Sequence, residues 1–76
     1  MVKTQNVDTT LLDDAIKKSG LKYSFFCEKL GISKQAFSNK RRGRTAFRQS
    51  EVFVMRSLLN LDDEDATKIF FPEMLG

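Results

Sequence analysis

The sequence predicts an all-α domain, a bundle of five short helices. Apolar residues recur three and four positions apart in several separate segments, which is the periodicity of amphipathic helices. Residue types that begin and end helices lie between those segments. No stretch alternates apolar and polar residues for long enough to require a β-strand. A chain of 76 residues suffices for one modest core, so we expect residues 1–76 to form a single domain.

The first helix is predicted to begin near residue 10 and to end at Gly20. Asp8, Thr9 and Thr10 are all N-cap residue types, and Thr10 with Asp13 fits a capping box. An apolar stripe follows at helical spacing, formed by Leu12, Ala15 and Ile16.

The second and third helices are predicted on either side of residues 31–33. The stripe of the second helix consists of Tyr23, Phe26, Cys27 and Leu30. Gly31 can adopt the left-handed conformation that ends it. Ser33 can cap the third helix, which Phe37 fixes to the core and Gly43 closes.

The fourth helix is predicted over about Gln49 to Leu59, after a connection formed by residues 44–47. Its inward residues are Val52, Met55 and Leu59. A fifth helix follows and ends near Phe70, because Pro72 disfavours helix at Phe71. The acidic group Asp62–Asp65 suits a helix cap and first turn. It lacks the glycine and distal glutamate of a calcium-binding EF-hand, but an interaction patch stays open.

The short connection between the second and third helices has a consequence for their geometry. Helices joined by three residues must cross steeply, and such a crossing needs a small side chain, here Cys27, and a permissive turn residue, here Gly31. We therefore expect a helix-turn-helix over about residues 22–42. Its third helix presents residue types that suit base edges in the DNA major groove: Lys34, Gln35, Ser38 and Asn39.

Positive charge is concentrated on and just after that helix. Residues 34–48 contain six basic residues and no acidic one, namely Lys34, Lys40, Arg41, Arg42, Arg44 and Arg48. Residues 62–76 contain five acidic residues and one lysine. The basic block is either a solvated face that happens to be positive or a DNA-binding surface, and its place on a helix-turn-helix favours DNA.

These segments resemble a known family. "EKLGISKQAFSNK", Gly43, "FRQSEV" and "LNLDDED" followed by "IFF" are similar to the small phage-type helix-turn-helix regulators, the Cro and CI-repressor (XRE) superfamily, of temperate phages and prophages of Gram-positive bacteria. The resemblance covers about residues 10–71. It implies a lambda repressor-like five-helix bundle in which Lys34, Gln35, Ser38 and Asn39 contact bases. It also places a second set near the phosphates: Lys22, Tyr23, Arg41, Arg42, Arg44 and Arg48.

Three positions depart from the pattern of the resembling regulators. Lys40 stands where many of them have an apolar residue, and we expect its stem to lie along the core while its ammonium group reaches out. Arg41 stands where this subgroup often has leucine. Lys22 replaces the threonine or serine that often caps the second helix.

The expected function is sequence-specific binding to double-stranded operator DNA, as a Cro-like repressor or antirepressor of a phage genetic switch. The alternative is a protein-binding modulator that acts mainly by complexing a CI-type repressor. Pairing with itself or with that repressor would use apolar residues that a monomer would not expose: Phe53, Val54, Phe71, Met74 and Leu75, the last three in a tail of about residues 71–76. Phe53 and Val54 cannot both be buried, and partial burial under the tail is the other interpretation.

An enzyme is not expected, because the sequence has no histidine, no glycine-rich phosphate loop and no metal-ligand cluster. Cys27, the single cysteine, is expected in the core rather than as a nucleophile. We expect no cofactor, no metal, no small-molecule ligand and no membrane contact, since no apolar run approaches about 18 residues and residues 1–10 lack a signal-peptide core. The predicted location is the cytoplasm of the bacterial host.

Overall fold

The structure, a computed structural model, describes residues 7–72 and contains five α-helices and no β-strand in that range. The helices are α1 (Thr9–Ser19), α2 (Tyr23–Leu30), α3 (Lys34–Arg41), α4 (Gln49–Leu59) and α5 (Asp63–Phe70). The all-helical, five-helix architecture is therefore confirmed. None of these helices is long and apolar enough to cross a membrane.

The start of α1 differs from the prediction. Asp8 is the N-cap, and its carboxylate accepts a hydrogen bond of 3.0 Å from the backbone N–H of Leu11. Thr10 therefore lies inside the helix, and the predicted capping box of Thr10 and Asp13 is wrong. The carboxylate of Asp13 is thereby left for another contact, described below.

Two other caps are confirmed. The hydroxyl of Ser33 accepts a hydrogen bond from the N–H of Ala36 at 3.1 Å, and the carboxylate of Asp62 accepts one from Asp65 at 2.8 Å. Lys22 occupies the N-cap of α2 without a side-chain cap, yet α2 still begins at Tyr23. Packing of its apolar face therefore stabilises α2 without help from a cap.

The connection between α2 and α3 is the predicted three-residue turn. Gly31 has φ of 69°, in the left-handed region where residues with a Cβ are strained. The N–H of Ile32 donates to the carbonyl of Cys27 at 3.1 Å, which closes the turn. α3 therefore leaves α2 in a fixed direction.

Every helix contributes one side chain to the centre of the core. The five largest fully buried side chains are Leu12, Phe26, Phe37, Met55 and Phe70, one from each helix. The rings of Phe26 and Phe37 stack with centroids 5.8 Å apart and planes 6° from parallel, which joins α2 to α3. Cys27 is buried beside them, as predicted.

Phe47 is a core residue that the sequence analysis missed. It lies in the segment treated only as a connection, but its ring is buried and meets Phe70 edge to face with centroids 5.4 Å apart. The segment between α3 and α4 is therefore fixed to the core just before α4 begins.

Candidate nucleic-acid interface

The outward face of α3 carries the four predicted base-contacting residues. Phe37 points into the core, whereas Lys34 and Gln35 are exposed and Ser38 and Asn39 are half-buried. Positions 34, 35, 38 and 39 share one face, because residues four apart lie one above the other on a helix. None of these four side chains forms a hydrogen bond or an ion pair with any other described residue. Their polar groups are therefore free to contact an external ligand.

The six cations of residues 34–48 fall into two groups. Lys34, Arg42, Arg44 and Arg48 are exposed, and within residues 7–72 none of them forms an ion pair. Lys22, at the start of α2, is likewise exposed and unpaired there. Lys40 and Arg41 each pair with an acid from another helix.

Lys40 points inward, so the expectation that its ammonium group reaches out is wrong. Its Nζ lies 3.0 Å from Oε1 of Glu51 and donates to the carbonyl of Ala46 at 2.9 Å. The Lys40 and Glu51 side chains keep only 13% and 10% of their exposure. The reason is that α4 brings a carboxylate into the interior at this point, which the apolar periodicity of α3 does not reveal.

Glu51 also holds the start of α4. Its Oε1 accepts a hydrogen bond from the backbone N–H of Arg48 at 2.8 Å. Burial raises the pKa of the Glu51 carboxyl, but the hydrogen bonds from Arg48 and Lys40 and the positive charges of both residues outweigh it, so the pKa is lowered. Glu51 is therefore ionised at neutral pH and ties the end of α3 to the start of α4.

The positive charge of Arg41 is neutralised by a carboxylate of α1. Its guanidinium pairs with the Asp13 carboxylate at 2.9 Å, and its Cζ lies 4.9 Å from the centre of the Tyr23 ring. Tyr23 is 47% exposed, and the centre of its ring lies 5.8 Å from that of Phe37. The structure thus brings two predicted phosphate-contacting residues, Tyr23 and Arg41, into direct contact, but Arg41 does not present a free charge.

The loop after α3 is fastened to that helix. The backbone N–H groups of Arg44 and Thr45 donate to the carbonyl of Asn39 at 2.8 and 3.4 Å. Arg42 and Arg44 consequently extend the positive surface directly from the end of α3. We call Lys22, Lys34, Arg42, Arg44 and Arg48 the free cations.

A family profile described as "Protein of unknown function (DUF739)" matches residues 8–73. The chain belongs to the DUF739 family. Comparisons with curated proteins and with solved structures gave no match. The DUF739 match spans all five helices, so the α3 face and the free cations all lie within the family domain.

Three of the five residues of the predicted protein interface of this DUF739 domain lie within the described residues. Phe53 is 72% exposed, Phe71 is 37% exposed and Val54 is half-buried, whereas Met74 and Leu75 lie outside the described residues. Phe53 borders a surface depression with Arg56 and Leu61. Arg56 pairs with Asp63, so α4 and α5 are joined beside that depression.

At the candidate nucleic-acid interface, the sequence did not reveal the two acidic residues that neutralise Lys40 and Arg41. Glu51 stands three residues after the N-cap of α4, the position of a capping-box glutamate, but the N-cap residue is Arg48 and not the serine or threonine of that motif, so only half of the signal was present. Asp13 had no corresponding signal, because its partner lies 28 residues away. No three metal-ligating residues within residues 7–72 form a group able to hold a metal ion.

Proposed function

We propose that the chain is a sequence-specific DNA-binding transcription regulator in which α2, residues 31–33 and α3 act as a helix-turn-helix. The observation that supports the proposal most strongly is that α3 is fixed to the core on one side while the polar side chains on its other side are unpaired. Its outward side chains form no hydrogen bond or ion pair within the described residues, although its inward side is fixed by Phe37 and Lys40. A helix held rigidly while its polar face stays free is what major-groove recognition requires.

The chemistry of each position supports a role in the complex. The ammonium of Lys34 suits guanine O6 and N7, the side-chain amides of Gln35 and Asn39 suit adenine N6 and N7, and the hydroxyl of Ser38 suits either base. Phosphate contacts would come from the N-terminal end of α2 and from the loop after α3, through Lys22, Tyr23, Arg42, Arg44 and Arg48. Those contacts orient the domain without specifying sequence.

The resemblance to Cro and CI regulators supports a place in a phage genetic switch. Binding at an operator would block RNA polymerase or a competing repressor by occupancy. One such domain contacts a half-site, and specificity would rise on pairing across two half-sites.

The proposal is tested by selecting bound duplexes from a random DNA library and measuring affinity by fluorescence anisotropy. With four or five phosphates neutralised per domain, log K should fall against log[salt] with a slope of about −4. A slope shallower than about −1 on the selected site would overturn the proposal that the free cations dock the domain.

Variants separate base contact from phosphate contact. Gln35→Ala and Asn39→Ala should each lose about 1–3 kcal/mol on the selected site and little on random DNA. Arg44→Ala should weaken both about equally, whereas Lys68→Ala, which removes the same charge from α5, should change neither. Identical profiles for Gln35→Ala and Arg44→Ala would show that α3 does not select the sequence.

The exposure of Phe53 supports a second candidate function, a modulator that acts by complexing a CI-type repressor. Sedimentation at micromolar concentration, alone and with the repressor's N-terminal domain, distinguishes the two. Phe53→Asp should abolish any complex. A monomer in both mixtures, with full DNA binding, would rule out this second candidate.

A further inference from the structure

The contact between α1 and the end of α3 suggests a control on DNA affinity. We propose that Asp13 withholds Arg41 from the DNA phosphates, so that the domain binds DNA more weakly than its basic surface permits. This inference rests on the proposed function. It gives Asp13, an acid outside the basic block, a role in setting the strength of binding.

Arg41 is held in a position from which release is possible. One of its terminal nitrogens pairs with Asp13, and its Cζ lies 4.9 Å from the centre of the Tyr23 ring. Its Nε, although buried, has no hydrogen-bond partner among the described residues. The site therefore satisfies the guanidinium incompletely, and a phosphate offers acceptor oxygens that Asp13 does not.

Arg41 lies among the residues that are proposed to contact the DNA phosphates. It is the last residue of α3, next to Arg42, and it lies against Tyr23 at the start of α2. Rotation of its side chain about the long aliphatic stem would bring one further cation to the same DNA backbone.

Lys40, the other compensated cation, cannot be released in this way. Lys40 and Glu51 are both nearly buried, so separating them would leave a charge in the interior. By contrast, Asp13 keeps 48% of its side-chain exposure, so its carboxylate can lose its partner and remain hydrated. The Arg41 side chain is only 16% exposed, but it is the last residue of α3 and lies against Tyr23, which is 47% exposed. Arg41 is thus the cation whose charge a surface substitution can free.

The testing substitution is Asp13→Asn, which removes the negative charge and keeps the size of the side chain. With Arg41 free to neutralise one more phosphate, the slope of log K against log[salt] should steepen by about 0.9. Affinity should rise by about five- to tenfold at 0.1 M salt, on specific and random DNA alike, because a phosphate contact carries no sequence information.

Asp14→Asn is the matched control. Asp14 neighbours Asp13 on α1 and pairs with Lys18 at 3.1 Å, so its replacement also adds one net positive charge and frees one cation. That cation belongs to α1 and not to α3. Asp14→Asn should leave the salt slope within about 0.3 of the parent value. The double variant Asp13→Asn, Arg41→Met should lose the gain, which shows that the extra contact comes from Arg41.

The outcomes are distinct. A steeper slope for Asp13→Asn, absent in both Asp14→Asn and the double variant, supports the proposal. Equal effects of Asp13→Asn and Asp14→Asn would show a general charge effect and overturn it, with the proposed function intact. If neither the parent chain nor Asp13→Asn binds any selected duplex while circular dichroism shows both folded, the proposed function fails and this inference fails with it.

Discussion

Replacing Glu51 tests whether the inward pair of Lys40 and Glu51 holds the fold together. Within residues 7–72 Glu51 is the one buried charged residue. Glu51→Leu leaves the Lys40 ammonium with a single acceptor, the carbonyl of Ala46, and removes the acceptor of the Arg48 N–H. Both consequences destabilise the folded chain.

The magnitude follows from the burial of the pair. Removing one partner of a fully buried ion pair costs about 3–5 kcal/mol, and the residual exposure of 13% and 10% lowers this to about 2–3 kcal/mol. Loss of the capping acceptor adds about 1 kcal/mol. The expected total of about 3–4 kcal/mol is a large share of the stability of a 76-residue domain, about 4–11 kcal/mol. It corresponds to a fall in Tm of about 15–25 °C.

The assay is urea unfolding at pH 7, followed by circular dichroism, on the two single variants Glu51→Leu and Lys40→Met and on their combination. The double variant should lose only about 1–2 kcal/mol, because no charge is left unpaired in the interior. If its loss equals the sum of the two single losses within about 0.5 kcal/mol, the pair is not coupled and the reasoning is refuted.

Three further expectations concern stability. Because the pKa of Glu51 is lowered on folding, the ionised carboxylate contributes its full share of the folding free energy above about pH 4.3, and this share is lost as the pH falls through the folded-state pKa. The difference in urea midpoint between the parent chain and Glu51→Gln should therefore narrow below about pH 4.3. Phe53→Asp should change the free energy of unfolding by less than about 0.5 kcal/mol, whereas Phe70→Ala should cost about 3–5 kcal/mol; equal losses would show that Phe53 is packed. Gly31→Ala should cost about 1–2 kcal/mol from backbone strain alone, since no atom lies within 4 Å of the added Cβ, and an unchanged urea midpoint would contradict the left-handed turn.

The parts of the fold that were predictable from sequence depend on residues close together in the chain. Ser33, Asp62 and Gly31 each act within four residues of their partners, so local patterns located the starts of α3 and α5 and the end of α2. The start of α1 was missed because Asp8 and Thr10 are both good caps, and the choice between them depends on where the chain enters the bundle. The N–H of Asp8 donates to the carbonyl of Ile69, a contact with α5 that no local pattern shows.

The candidate site divides in the same way. The outward face of α3 follows from helical spacing and the inward position of Phe37; on it Lys34 and Gln35 are exposed, whereas Ser38 and Asn39 are half-buried. Which basic side chains are paired and which are free could not be predicted from the sequence, because a helical pattern places every lysine or arginine on the outward face. Only the packing of α1 and α4 against α3 brings Asp13 to Arg41 and Glu51 to Lys40.

The reactivity of the buried Cys27 thiol can be used to measure local opening of the structure around α2. Cys27 is the single cysteine, it is 7% exposed, and its carbonyl closes the turn between α2 and α3. A thiol reagent reacts with the thiolate and must reach it, so labelling proceeds only when the protein opens around α2. At low reagent concentration the labelling rate reports the population of the opened state, and at high concentration the rate of opening. Any ligand that clamps α2 and α3 together should slow this labelling, without a dye or an engineered residue.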